Sequence, residues 1–147
     1  MPIGCFISSK EIMSSLKQNP ILGHITTFGG HPISTAASLA TLETIQNENL
    51  IDQVAGKALL FKKLLKHDLI KSIRNQGLLM AVEFESYEVL KRIIDRALEA
   101  GIITDWFLFC NNSMRIAPPL TISEIEIKEV CQTLIKSIEW VSKNPLS

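Results

Sequence analysis

Ile70-Lys71-Ser72-Ile73-Arg74-Asn75-Gln76-Gly77-Leu78-Leu79-Met80-Ala81-Val82-Glu83-Phe84 decides the fold. Its second half, Leu78 to Phe84, is a nearly continuous apolar run of strand length. Such a run needs cover on both faces or most of one, which predicts a central strand. Gly77 breaks the chain ahead of it, and the more polar Ile70 to Arg74 predicts an edge strand. Further on, Ser86 can N-cap a helix over 87–99 with Val89, Leu90, Ile93, Ile94, Ala97 and Leu98 as its stripe, and Gly101 supplies the stop. Ile102 to Asp105 and Met114 to Ala117 read as strands on either side of Trp106-Phe107-Leu108-Phe109, with Asn111-Asn112 as the turn. Ser123 and Glu126 stand in capping-box spacing before a regular helical stripe of Ile127, Val130, Cys131, Leu134, Ile135, Ile138 and Val141.

Before residue 70 the sequence is helical. Ser8 and Glu11 have capping-box spacing ahead of a short helix over 9–17, which Asn19-Pro20 ends. Residues 21–30 read as loop, and Pro32 fits the first position of a helix running to about Asn47. That helix opens with small side chains on nearly every face, Ser34, Thr35, Ala36, Ala37, Ser38 and Ala40, and reads as a buried central helix or a dedicated interface. A further helix over 50–66 places Ile51, Val54, Ala55, Ala58, Phe61 and Leu65 on one side and Lys57, Lys63 and Lys66 on a solvated one. Helices followed by strand, strand, helix, strand, strand, helix describe an α+β fold, a small, largely antiparallel sheet covered by helices.

The composition narrows the function. Fifteen basic and fifteen acidic residues among 147 give zero net charge, so there is no basic excess for an electrostatic nucleic-acid binder. With 46% hydrophobic and 20% charged residues the chain lies in the globular range. Its mean hydropathy of +0.21 is high enough to imply an apolar face that a partner covers. No apolar run reaches membrane-spanning length, and Met1-Pro2-Ile3-Gly4-Cys5-Phe6 lacks the basic start of a signal peptide and reads as if cut. Three scattered cysteines, Cys5, Cys110 and Cys131, argue against a disulfide framework and for a reducing compartment, so the cytoplasm is expected. His24, His31 and His67 form no metal-binding spacing.

Two places carry possible chemistry. His24-Ile25-Thr26-Thr27-Phe28-Gly29-Gly30-His31-Pro32 sets two hydroxyls and two glycines before a helix start. Hydroxyls and free backbone N–H groups there suit a phosphate, and an ordinary loop with a local threonine cap is the alternative. Met114-Arg115-Ile116-Ala117-Pro118-Pro119-Leu120 holds a lone arginine in an apolar strand. Its planar fork favours a bidentate carboxylate, either a ligand's or that of one of the chain's own glutamates.

In this order these segments resemble the class III pyridoxal-phosphate aminotransferases, the group that contains ornithine, acetylornithine and 4-aminobutyrate aminotransferases. Met1-Pro2-Ile3-Gly4 is similar to the family's G-G-G-x-P-I-G, and T-T-F-G-G-H-P, Arg74-Asn75-Gln76-Gly77-Leu78-Leu79 and R-I-A-P-P-L-T-I follow in register. The resemblance implies transfer of an amino group from a donor to a keto acid through pyridoxal 5'-phosphate, in a homodimer with shared active sites. It implies small amino-acid and keto-acid substrates, with neither nucleic acid nor membrane as partner. Thr27, with Thr26 beside it, matches the threonine that binds the cofactor phosphate of the neighbouring subunit. Arg115 matches the arginine that holds the substrate α-carboxylate, and His31 stands where the family usually has asparagine. The family's Schiff-base lysine precedes the G-G-G-x-P-I-G segment, so the resemblance implies that it lies before Met1 and that this chain alone is inactive. Residues 1–48 then correspond to the end of a large domain with an interdomain helix, and 49–147 to the C-terminal small domain. The competing expectation is a stand-alone α+β ligand-binding or regulatory module without catalysis.

Overall fold

The computed structural model describes residues 2–19, 21 and 25–145. The chain divides into two compact units, Met1–Glu48 and Asn49–Ser147, each treated by itself below.

The first unit holds α1 (Lys10–Ser14), which runs into a short 3-10 turn over Ser15–Lys17, and α2 (Pro32–Asn47). Ser9, rather than Ser8, caps α1 by accepting from the Ile12 N–H at 3.3 Å. Five of the sixteen residues of α2 carry hydroxyls, and Thr35, Thr41 and Thr44 each donate back to a carbonyl one turn earlier, a local pairing available without tertiary contacts. The expectation of a buried central helix is overturned in this chain, where Ser34 is the single buried residue of α2. Ile33, Leu39 and Leu42 are all more than half exposed. Ala36 and Ala40 are too small to bury much surface on their own.

The second unit is α+β. Its elements are α3 (Leu50–Leu64), β1 (Ser72–Gln76), β2 (Leu79–Glu83), α4 (Tyr87–Glu99), β3 (Asp105–Phe107), β4 (Cys110–Ile116) and α5 (Glu124–Lys143). The strands form one antiparallel sheet in the order β1-β2-β4-β3. The apolar run thus occupies a central strand and β1 an edge, the latter two residues later than Ile70 to Arg74.

Strand alternation then divides the sheet into two unlike faces. Met80 and Val82 of β2 and Met114 and Ile116 of β4 enter the core, where α3, α4 and α5 contribute Phe61, Leu90, Ile93, Ala97, Ile127, Leu134 and Ile138. Each large side chain buried this completely contributes about 1.5–3 kcal/mol. On the opposite face Leu79 stays half exposed, so cover on one face suffices for β2. Gly77 closes the β1–β2 turn at φ 56°, and a Cβ there would lie 2.9 Å from Val54 Cγ1. A side chain at that position is excluded twice over.

Three further expectations are corrected here. Trp106 and Phe107 lie in β3, Asn111 and Asn112 in β4, and the hairpin turns at Leu108–Phe109 instead. The lysine side of α3 is not wholly solvated: Lys57 is buried and donates from Nζ to the Leu120 carbonyl at 2.7 Å. Nor does the apolar stripe of α3 pack along its full length, since Ile51 and Ala55 are exposed.

Candidate functional site

The first candidate lies within residues 2–34. Thr26 begins a tight turn, its carbonyl accepting from the Gly29 N–H at 3.2 Å, and Phe28 accepts from His31 N–H at 3.2 Å. The Thr26 hydroxyl folds over that turn so closely that a Cβ on Gly29 would sit 2.5 Å from Oγ1. Gly30, at φ 72°, has open space where a side chain would stand. His31 takes the N-cap of α2 through Nδ1, which accepts from the Ile33 N–H at 3.3 Å. It does the capping work that asparagine performs elsewhere. Around the turn lies a cavity of about 520 Å³ lined by Pro2, Ile3, Gly4, residues 26–30 and Ser34. Among the described residues no ionisable side chain borders it. Among the described residues Thr27 makes no hydrogen bond, and it stands before the positive end of a sixteen-residue helix. Hydroxyl and amide donors with no acid among them fit the phosphate of a cofactor. His24 lies outside the described residues.

The second candidate is the uncovered face of the sheet. The register places Arg74, Ala81, Arg115 and Asp105 in one row across all four strands. Arg115 is held there because its neighbours Met114 and Ile116 point into the core, which sends its own side chain to the opposite face, 48% exposed. Thr104 Oγ1 donates to the Arg115 carbonyl at 2.7 Å and fixes the backbone. The guanidinium reaches Asp105 Oδ2 only at 3.8 Å, while Asp105 Oδ1 accepts from the Trp106 N–H at 2.8 Å. So exposed a pair, at so long a distance, contributes at most about 1 kcal/mol. The partner is an aspartate, not one of the glutamates weighed from sequence.

Leu79 and Ala81 form the floor of a cavity of about 580 Å³ that Phe107 to Cys110 overhang and that Arg74, Asn75, Gln76 and Arg115 complete. Sequence reasoning missed the hairpin wall and Arg74 as a member of the site. Asn111-Asn112 resembled a turn more strongly than the apolar Leu108-Phe109 that makes it. The signal available was the alternation from Cys110 to Ile116, which places Asn112, Met114 and Ile116 on one phase and Arg115 on the other.

Thr26 and Thr27 belong to the first unit and Arg115 to the second. Among the described residues no group of three or more His, Cys, Asp or Glu is placed to hold a metal, and no helix is long and apolar enough to cross a membrane.

Solved structures of known proteins resemble this chain. An aminotransferase of Bacillus anthracis is 32% identical with a TM-score of 0.77, covering 89% of this chain and 34% of that one. Ornithine aminotransferase of Toxoplasma gondii is 30% identical with a TM-score of 0.78, over 92% of this chain and 32% of that one. Adenosylmethionine-8-amino-7-oxononanoate aminotransferase of Methanocaldococcus jannaschii is 26% identical, TM-score 0.75, over 90% and 34%. The chain therefore spans about a third of the length of these structures. Residues 1–138 match the family described as aminotransferase class-III, and by that match over nearly its whole length the chain belongs to the class-III aminotransferases.

Proposed function

We propose that this chain forms the C-terminal part of a cytoplasmic, pyridoxal-phosphate-dependent aminotransferase that moves an amino group between an amino donor and a 2-keto acid. Residues 1–48 act as the end of its large domain and 49–147 as its small domain. The family match over residues 1–138 carries this reading. When bound, pyridoxal phosphate supplies the electron sink that lets the bond to the substrate α-proton break.

The chain's own residues bind and orient. Thr27 donates its hydroxyl and backbone N–H to the cofactor phosphate of a second copy in a homodimer. Thr26 braces the turn through its contact over Gly29. Arg115 takes the substrate carboxylate with two parallel N–H donors, and the long contact to Asp105 is weak enough to yield to it. The turn holds the cofactor and the arginine holds the substrate, each through donated hydrogen bonds, and neither performs the proton transfer. The lysine that anchors the cofactor is supplied by sequence outside this chain.

Two experiments test the reading. Treated with pyridoxal phosphate and borohydride, the chain alone gains no stoichiometric, site-specific pyridoxyl adduct on any of its lysines. One such adduct would show that the anchoring lysine is here. In an active enzyme that contains this chain, Thr27→Ala weakens cofactor binding by about 1–3 kcal/mol, the loss expected for a hydrogen bond to a charged group. Unchanged affinity removes the phosphate role.

A further inference from the structure

Helix α3 turns two unlike sides to its surroundings. Lys57, Ala58 and Phe61 are buried against the rest of the second unit, while on the far side Ile51 is 68% and Leu59 67% exposed, with Ala55 exposed between them. Asp52, Ala55, Leu59 and Lys62 follow one another at spacings of three, four and three, which lines them up in a single seam along that far side. From its start the seam is acidic, small, large and basic. That order is its own complement when reversed. Laid antiparallel on a second copy, α3 sets Asp52 opposite Lys62 and Ala55 opposite Leu59, and the two-fold axis repeats both pairs. A large side chain then fills the space beside a small one, and each carboxylate meets an ammonium. Parallel alignment would instead set leucine on leucine and lysine on lysine.

Nothing within the chain uses these groups. Among the described residues neither Asp52 nor Lys62 makes an ion pair or a side-chain hydrogen bond. Gly56, beside the seam, has open space where a Cβ would stand. Glycine inside a helix is disfavoured relative to alanine, and no neighbour in the chain requires it there, whereas a second backbone approaching closely does.

We propose that α3 is a self-recognition surface, pairing antiparallel with α3 of a second copy of this chain in the register that joins Asp52 to Lys62 and Ala55 to Leu59. This contact belongs to the second unit and is separate from the homodimer proposed through Thr27. With so few apolar side chains from each copy it falls in the weak, transient class of interface, below about 1,200 Å². Its charges fix the register and direction more than the affinity.

Cysteine trapping in the full chain tests this. In a Cys5→Ser background, which removes the exposed native thiol, Ala55→Cys and Leu59→Cys variants are prepared separately, mixed and oxidised with copper phenanthroline. The mixed disulfide should form about tenfold faster than either variant couples to itself, because only the opposed pair comes within bonding geometry. Adding Asp52→Lys or Lys62→Asp to both partners should slow it severalfold, and the double exchange, which restores opposite charges across the seam, should recover the rate. Circular dichroism confirms that each variant keeps its helices. Self-coupling of Leu59→Cys as fast as the mixed reaction, or a rate untouched by the single reversals, overturns the proposal. So does the absence of a crosslink, and sedimentation that still detects association would then assign that association to another surface.

Discussion

Cys131 and Cys5 carry the same thiol into opposite surroundings. Cys131 sits in the core at 1% exposure, and burial pushes its pKa up to about 12, whereas Cys5 is exposed. Because the thiolate is the reactive form, Cys131 should stay unlabelled by iodoacetamide at pH 8 while Cys5 is modified within minutes. Mass spectrometry of the digested protein reads the difference, and rapid modification of Cys131 in the folded chain would contradict this packing. The burial of Cys131 is legible in the sequence because it lies on an unbroken apolar stripe. Lys57 shows the opposite case. A lysine on a helix reads as solvated, since its charge opposes burial, and only tertiary structure brings the Leu120 carbonyl to its ammonium. Arg115 was legible as an arginine needing an anion. Its partner Asp105 was not, because cross-strand pairing depends on where the hairpin turns.

Helix α5 owes its start to a reciprocal cap, in which Ser123 accepts from the Glu126 N–H at 3.2 Å and its own N–H donates to Glu126 Oε2 at 2.7 Å. The backbone bond from Ser123, then its hydroxyl, holds the Glu126 carboxyl below the ordinary carboxylate range. A lowered folded pKa means stability present above the unfolded value and lost as pH falls through the folded one. Glu126→Ala should therefore melt below the wild type at neutral pH, and the gap should close as the pH drops through that lowered value. A gap independent of pH, followed by circular dichroism, would remove the carboxylate from the cap. Both this cap and Ser86 were readable in advance, because they are local contacts between residues three apart. The β3–β4 hairpin was not. Its tip is two exposed apolar residues with none of the usual turn chemistry, and its register shifts between Trp106 and Phe107.

Across the whole chain, stability is unevenly divided. Every residue of the buried cluster lies between Ala58 and Val141, while Phe6, Ile7, Ile21, Phe28 and Ile33 of the first unit are each more than 60% exposed. Hydrogen exchange should be fastest in α1 and α2 and slowest in β2, β4 and α5. At micromolar concentration the chain should self-associate, burying that apolar surface. A monomer by sedimentation, with residues 2–48 protected, would favour the stand-alone module. The route of association is constrained by the two ends of the sheet. An open sheet presents unpaired N–H and C=O groups at each margin, an invitation to cross-β growth. Here β3 is three residues long and irregular, and β1 offers Ser72, Arg74 and Gln76 along an edge preceded by Lys71. A short bulged margin and a polar, cationic one are poor templates for a further strand. Aggregates of this chain should accordingly be amorphous and should not bind thioflavin.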